Sequence, residues 1–149
     1  MKKSFQVLSV ICVVFLFSSY AAAHCEIPCG IYDDAMRVKM IAENITTIEK
    51  SMNEIMKLQG EKTINYNQLV RWITNKDDHA SKLQQIVTQY FMTQRIKPDT
   101  TKYQEKLVVL HKMLLQAMQC KQTTDLEHVN MLRSLLKQFE DLYFEGSHK

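Results

Sequence analysis

Six apolar residues, Val38, Ile41, Ile45, Ile48, Met52 and Ile55, alternate three and four positions apart. That spacing places all of them on one face of an α-helix and forms the seam of a left-handed bundle. A chain with such a seam folds by covering it with other helices. Three Gly and two Pro in 149 residues agree, because they allow few tight turns. Asp33 is placed as N-cap of this helix, Asp34 suits the positive end of its dipole, and Gly60 is a fitting stop.

The remaining chain supplies the covering helices. A second is expected from about residue 66 to 95, with Leu69, Trp72 or Ile73, Leu83, Ile86 or Val87, and Tyr90 inward. The polar stretch from Asn75 to His79 interrupts its stripe and marks an expected kink or break. Pro98 ends it, since the residue before a proline is pushed out of the α region. Thr101 with Gln104, and Thr124 with Glu127, fit capping boxes that open a third and a fourth helix. Leu107, Leu110, Leu114 and Met118 are expected inward on the third. Val129, Leu132, Leu136, Phe139 and Tyr143 are expected inward on the fourth. The expected architecture is all-α, an antiparallel four-helix bundle over residues 33–149.

Residues 1–23 have the anatomy of a cleaved signal peptide. Lys2 and Lys3 form the positive start, and residues 7–17 an apolar run of 11, too short to span a bilayer. Ala21-Ala22-Ala23 offers small residues at the cleavage site. An uncleaved anchor is the competing reading; a lipoprotein route requires a small residue before the modified Cys, and His24 stands there. Cleavage leaves 126 residues beginning at His24, with 17 basic and 16 acidic side chains. That near-neutral balance has no basic tract for nucleic acid, and no later stretch is suited to a membrane. The expected location is outside the cytoplasm, in the periplasm or beyond the cell.

Cys12 leaves with the signal peptide, so Cys25, Cys29 and Cys120 remain. An odd number does not describe a disulfide framework. Two readings are open for Cys25 and Cys29: a small disulfide loop, or a pair of metal-binding thiolates. Once His24 is terminal, its α-amine, its imidazole, the Cys25 amide nitrogen and two thiols lie within six residues. The amine and the amide nitrogen close one five-membered chelate ring; the amide nitrogen and the Cys25 thiolate close a second. Planar nitrogen–sulfur coordination of this kind is diagnostic of Ni(II) or Cu(II). Structural zinc asks for a closed tetrahedral shell, and only three side-chain ligands are local. Pro28 stiffens the return to Cys29, and Gly30 allows a positive φ.

The nonapeptide HCEIPCGIY, residues 24–32, resembles the nickel-binding hook of nickel-dependent superoxide dismutase, His-Cys-x-x-Pro-Cys-Gly-x-Tyr, at all six fixed positions. The resemblance implies a four-helix bundle assembled as a homohexamer, with one nickel ion per subunit. It implies that the His24 amine, the Cys25 amide and the thiolates of Cys25 and Cys29 hold nickel, with the His24 imidazole joining in the oxidised state. It implies that superoxide is disproportionated to dioxygen and hydrogen peroxide by cycling between Ni(II) and Ni(III). Tyr32 matches the family tyrosine beside the metal, and Tyr90, ahead of Phe91, looks like a second one. Glu26 departs from the usual Asp, and Asp34 stands where Pro is frequent.

Other features have plainer readings. The Met residues, including Met36, Met40, Met52, Met56 and Met113, sit at helical spacing and suit core or interface filling. Asn44-Ile45-Thr46 is a glycosylation sequon inside an expected helix. Glu43 and Arg71 suit solvated or structural roles, and Cys120 a buried apolar one. A di-iron bundle needs two Glu-x-x-His pairs; Asp125-x-x-His128 is the nearest approach. A non-catalytic nickel or copper carrier is the rival function for the same ligand set.

Overall fold

The computed structural model describes residues 30–145. The chain divides into two units, one ending at Tyr32 and the other beginning at Asp33. The expected signal segment and the expected ligands His24, Cys25 and Cys29 lie outside the described residues, as does His148. In the first unit, Gly30 adopts φ +81°, a left-handed conformation that glycine takes without steric cost.

The second unit is four helices: α1 (Asp34–Gln59), α2 (Tyr66–Gln85), α3 (Tyr103–Gln122) and α4 (Glu127–Phe144). Helix α2 passes directly into a π-helical stretch, Ile86–Arg95. Helices α1 and α3 each pack against both α2 and α4, so each inner face is covered by two neighbours. This is the four-helix bundle that the apolar stripes require. Among the described residues, no helix is long and apolar enough to cross a membrane.

All six residues of the α1 seam are buried. Asp33 caps the helix as expected, its carboxylate accepting from the Met36 N–H at 2.9 Å. At the other end the Gly60 N–H donates to the carbonyls of Met56 and Lys57. Among the methionines, Met52 and Met113 fill the core, whereas Met36 and Met56 are exposed.

The other helices depart from their expected details. No break occurs between Asn75 and His79, because α2 runs unbroken to Gln85 and Lys76 turns inward. Its first half is only loosely covered: Leu69 and Trp72 are half-buried and Ile73 is exposed. The α3 core face is rotated from the expected one. Lys106, Val109, Leu110, Met113, Ala117 and Cys120 are buried, Leu107 and Leu114 only partly, and Met118 is exposed. Neither expected capping box forms. Helix α3 starts after Lys102, which takes a left-handed φ of 55° without a side-chain cap. At α4 the Asp125 carboxylate accepts from the Glu127 N–H at 2.9 Å, and Thr123 in turn accepts from the Asp125 N–H. At α4, short local Asx and hydroxyl turns thus replace the longer-range box.

Irregularity comes instead at the π-helical stretch. The Ile96 N–H donates to the Phe91 carbonyl, and the Thr93 hydroxyl and Gln94 amide reach back to the carbonyls of Thr88 and Gln89. All three span five residues, the spacing of π winding. An aromatic cluster packs beneath it. The Phe91 ring meets Tyr90, Phe139 and Tyr143 edge-on, with centroids 5.0, 4.9 and 5.4 Å away. Such contacts add to the burial of large rings.

Candidate functional site

The first residue of α1 accepts four hydrogen bonds from side chains of other elements. Asp34 Oδ1 accepts the Tyr90 hydroxyl at 2.6 Å and Arg95 Nε at 2.9 Å. Its Oδ2 accepts Arg95 Nη2 at 2.7 Å and the Tyr143 hydroxyl at 2.9 Å. One carboxylate therefore joins the start of α1, the π-helical stretch and the end of α4. The Arg95 guanidinium binds it through two parallel N–H bonds, the strongest geometry available to such a pair.

The π winding makes this convergence possible. At 3.6 residues per α-turn, positions five apart lie roughly 140° around the helix from each other. In a π-turn, residue i+5 stands almost over residue i. Tyr90 and Arg95 are five apart, and both reach the same carboxylate. An α-helix would have sent them to different faces.

The electrostatics follow from the contacts. Burial would raise the Asp34 carboxyl, but the hydrogen bonds from Arg95, Tyr90 and Tyr143 outweigh it, and the group lies below its ordinary 3.8. Burial and the Asp34 bond push the Tyr143 phenol up to about 12. Tyr90 is raised further by the same two causes. Two cations flank the phenols: the Arg37 guanidinium lies 5.1 Å from the Tyr90 ring centroid, and the Lys106 ammonium 5.4 Å from that of Tyr143. Burial, and next the charge of Lys102, lower the Lys106 ammonium.

Of the expected site residues, Tyr90 is 3% exposed, with its hydroxyl donated to Asp34. Tyr32 belongs to the first unit, directly ahead of the Asp33 cap in sequence. Glu43 and Arg71 are exposed on α1 and α2. Cys120 is buried, and burial pushes its thiol up to about 11, so it is a poor thiolate donor. The sequon residue Asn44 is buried, donating to the Met40 carbonyl and contacting His79 Nδ1 at 2.7 Å. His128 pairs with Gln116. Three members of the Asp34 cluster escaped sequence reading in this role. Tyr143 was legible only as a core residue, Asp34 only as a dipole partner, and Arg95 not at all. A five-residue spacing has no place in an α-periodic reading.

Among the described residues, no group of three or more His, Cys, Asp or Glu is gathered to hold a metal ion. The nitrogen and sulfur donors expected at residues 24–29 lie outside the described residues. The left-handed Gly30 immediately follows the second thiol of that set.

A family model described as nickel-containing superoxide dismutase matches residues 19–147, which takes in the nonapeptide and all four helices. No curated protein and no solved structure matches the chain.

Proposed function

The chain belongs to the nickel-containing superoxide dismutase family, and from that premise we propose that its catalytic centre is a processed N-terminus beginning at His24. It is an oxidoreductase acting on superoxide, with nickel as cofactor. The observation that carries the finer reading is the nonapeptide, whose six fixed positions all lie inside the matched segment.

Removal of residues 1–23 frees the His24 α-amine. That amine, the Cys25 amide nitrogen and the thiolates of Cys25 and Cys29 hold the metal, with the His24 imidazole as the additional ligand. When bound, nickel supplies the Ni(II)/Ni(III) couple that takes an electron from one superoxide and returns it to another, yielding dioxygen and hydrogen peroxide. Both cysteines must be thiolates to ligate, so binding releases protons and weakens in acid. Superoxide dismutation consumes protons, and the match of Tyr32 to the family tyrosine supports its phenol as the group that orients the anion or holds a proton near it. The Tyr90 hydroxyl donates to Asp34 and keeps its proton. The signal-like start directs the protein out of the cytoplasm, and assembly as a homohexamer follows the family resemblance. Neither nucleic acid nor a membrane is a partner of the mature chain.

The test compares nickel-loaded protein starting at His24 with protein that retains Ala23. Dismutation only in the trimmed form supports the processed-terminus centre. Nickel bound without turnover makes the chain a carrier. No nickel in either form reduces the nonapeptide to a disulfide loop.

A further inference from the structure

We propose that residues 86–95 are a two-state element, wound as a π-helix while Asp34 clasps Tyr90 and Arg95 and rewound as an α-helix when that clasp is released. The proposal concerns the bundle alone and is independent of how the chain holds its metal.

Nothing in the local sequence imposes π winding. The stretch Ile86–Arg95 holds neither Gly nor Pro and continues α2 directly, so nothing in it bars an α-helix. π winding mostly occupies a single turn, whereas here it runs for 10 residues. Two sets of bonds select it. Inside the stretch, Thr93 and Gln94 reach back five residues to the carbonyls of Thr88 and Gln89. From α1, Asp34 takes Tyr90 through one oxygen and Arg95 through both. Rewinding as α would turn Arg95 roughly 140° from the face of Tyr90, so the clasp and the α-helix exclude each other.

The π state also leaves bonds unmade. Among the described residues, the buried side-chain atoms with no hydrogen-bond partner are Arg37 Nε and Gln94 Oε1. The first belongs to the guanidinium over the Tyr90 ring, and the second to the neighbour of Arg95 in sequence. An unpaired buried group is destabilising, and beside each clasped residue the charge-assisted bonds to Asp34 offset it. Without those bonds the balance moves to α, and the Ile96 N–H exchanges the Phe91 carbonyl for that of Met92. In the natural chain, protonation of Asp34 releases the clasp. The groups facing it are Arg95 and Tyr90 from the π-helical stretch and Tyr143 from α4. Arg37 of α1 lies over the Tyr90 ring, and Lys106 of α3 over that of Tyr143. Burial opposes the charge on Asp34, but the bonds from Arg95, Tyr90 and Tyr143 hold its carboxyl below the ordinary 3.8, so the element is π-wound at neutral pH.

The test reads winding in the intact protein, with folding followed by circular dichroism. A crystal structure of Asp34→Asn should show residues 86–95 wound as α, with the Ile96 N–H on the Met92 carbonyl. Tyr143→Phe removes one bond to Asp34 without touching the π-helical stretch. It should raise the population of a minor conformer about tenfold, seen by relaxation dispersion at the methyls of Ile86, Val87, Met92 and Ile96. The methyl shifts of that conformer should match those of Asp34→Asn. Lys76→Met loosens contacts with α3 instead and should leave the dispersion as in the wild type. A folded Asp34→Asn that keeps π winding, or that loses helical order over residues 86–95, would overturn the proposal. Should Asp34→Asn fail to fold, wild-type dispersion in Tyr143→Phe overturns it alone. An equal rise in Lys76→Met would also overturn it, because general destabilisation would then suffice.

Discussion

Lys76 and Asp34 are both largely withdrawn from solvent in this bundle, and they are satisfied in different ways. Lys76, in the middle of α2, donates to the Cys120 and Lys121 carbonyls at 2.6 and 2.7 Å and to Asp77 at 2.8 Å. All three ammonium donors are used, two of them on carbonyls at the C-terminal end of α3, where a cation also suits the dipole. Asp34, at the start of α1, is satisfied by side chains alone, drawn from the π-helical stretch and α4. Backbone carbonyls are present at every helix end whatever the sequence. An arginine and two phenols around one carboxylate are a specific choice of residues. The Lys76 contacts finish a helix; those of Asp34 tie the first residue of α1 to the π-helical stretch and to α4.

Arg95→Ala should have the largest effect on stability, because it leaves the Asp34 carboxylate without its cation. Removal of one partner from a buried pair costs roughly 3–5 kcal/mol, and partial exposure puts this case near the lower end. Urea unfolding checks it; a loss as small as that of a surface pair would return the Asp34 cluster to an ordinary ion pair. Lys76→Met should cost less, about 1.5 kcal/mol, since water can reach the freed α3 carbonyls as the helix end loosens.

Titration separates the two regions further. Asp34 has a depressed pKa when folded, so its stabilisation is present above about 3.8 and is lost as pH falls through the depressed value. Acid unfolding of Asp34→Asn should lack that component. Tyr143 rises from 10.0 to about 12 and Cys120 from 9.0 to about 11. Raised values stabilise below the unfolded pKa, and that contribution is lost as pH rises through the folded one. Alkaline melting should therefore lose its component between pH 10 and 12 in Tyr143→Phe, and that between pH 9 and 11 in Cys120→Ala. Identical profiles for both variants would mean that neither group governs the alkaline limb.

The smallest effect is expected at Lys137, whose bond to Asp141 lies on the exposed face of α4. Lys137→Ala should change stability by less than about 0.5 kcal/mol in the same urea assay. A larger change would show that exposed pairs contribute here as much as the buried charges do.

Legibility followed periodicity. The α1 seam was readable residue by residue because a straight α-helix with one buried face obeys a fixed spacing, and all six positions are buried. Reading weakened on α2 and α3, where several apolar residues lie outside the core and charged ones lie within it. Ile73 and Met118 are exposed, while Lys76 and Lys106 are buried. Those two lysines are inside because of what stands opposite them, the α3 carbonyls for one and the Tyr143 ring for the other. The expected caps of α3 and α4 failed for a related reason: Ser, Thr and Asp have several local turns open to them, and a three-residue spacing does not choose among them.

By itself the sequence determined the all-helical class and the α1 seam with its Asp33 cap and Gly60 stop. These depend on neighbours along the chain, whose relations the peptide backbone fixes. Only the tertiary structure decided that Asp34, Tyr90, Arg95 and Tyr143 form one cluster. Tyr90 and Arg95 are brought onto one face by π winding, and they and Tyr143 meet Asp34 across 56, 61 and 109 positions of chain. Such distances are closed by packing against partners that no local spacing encodes.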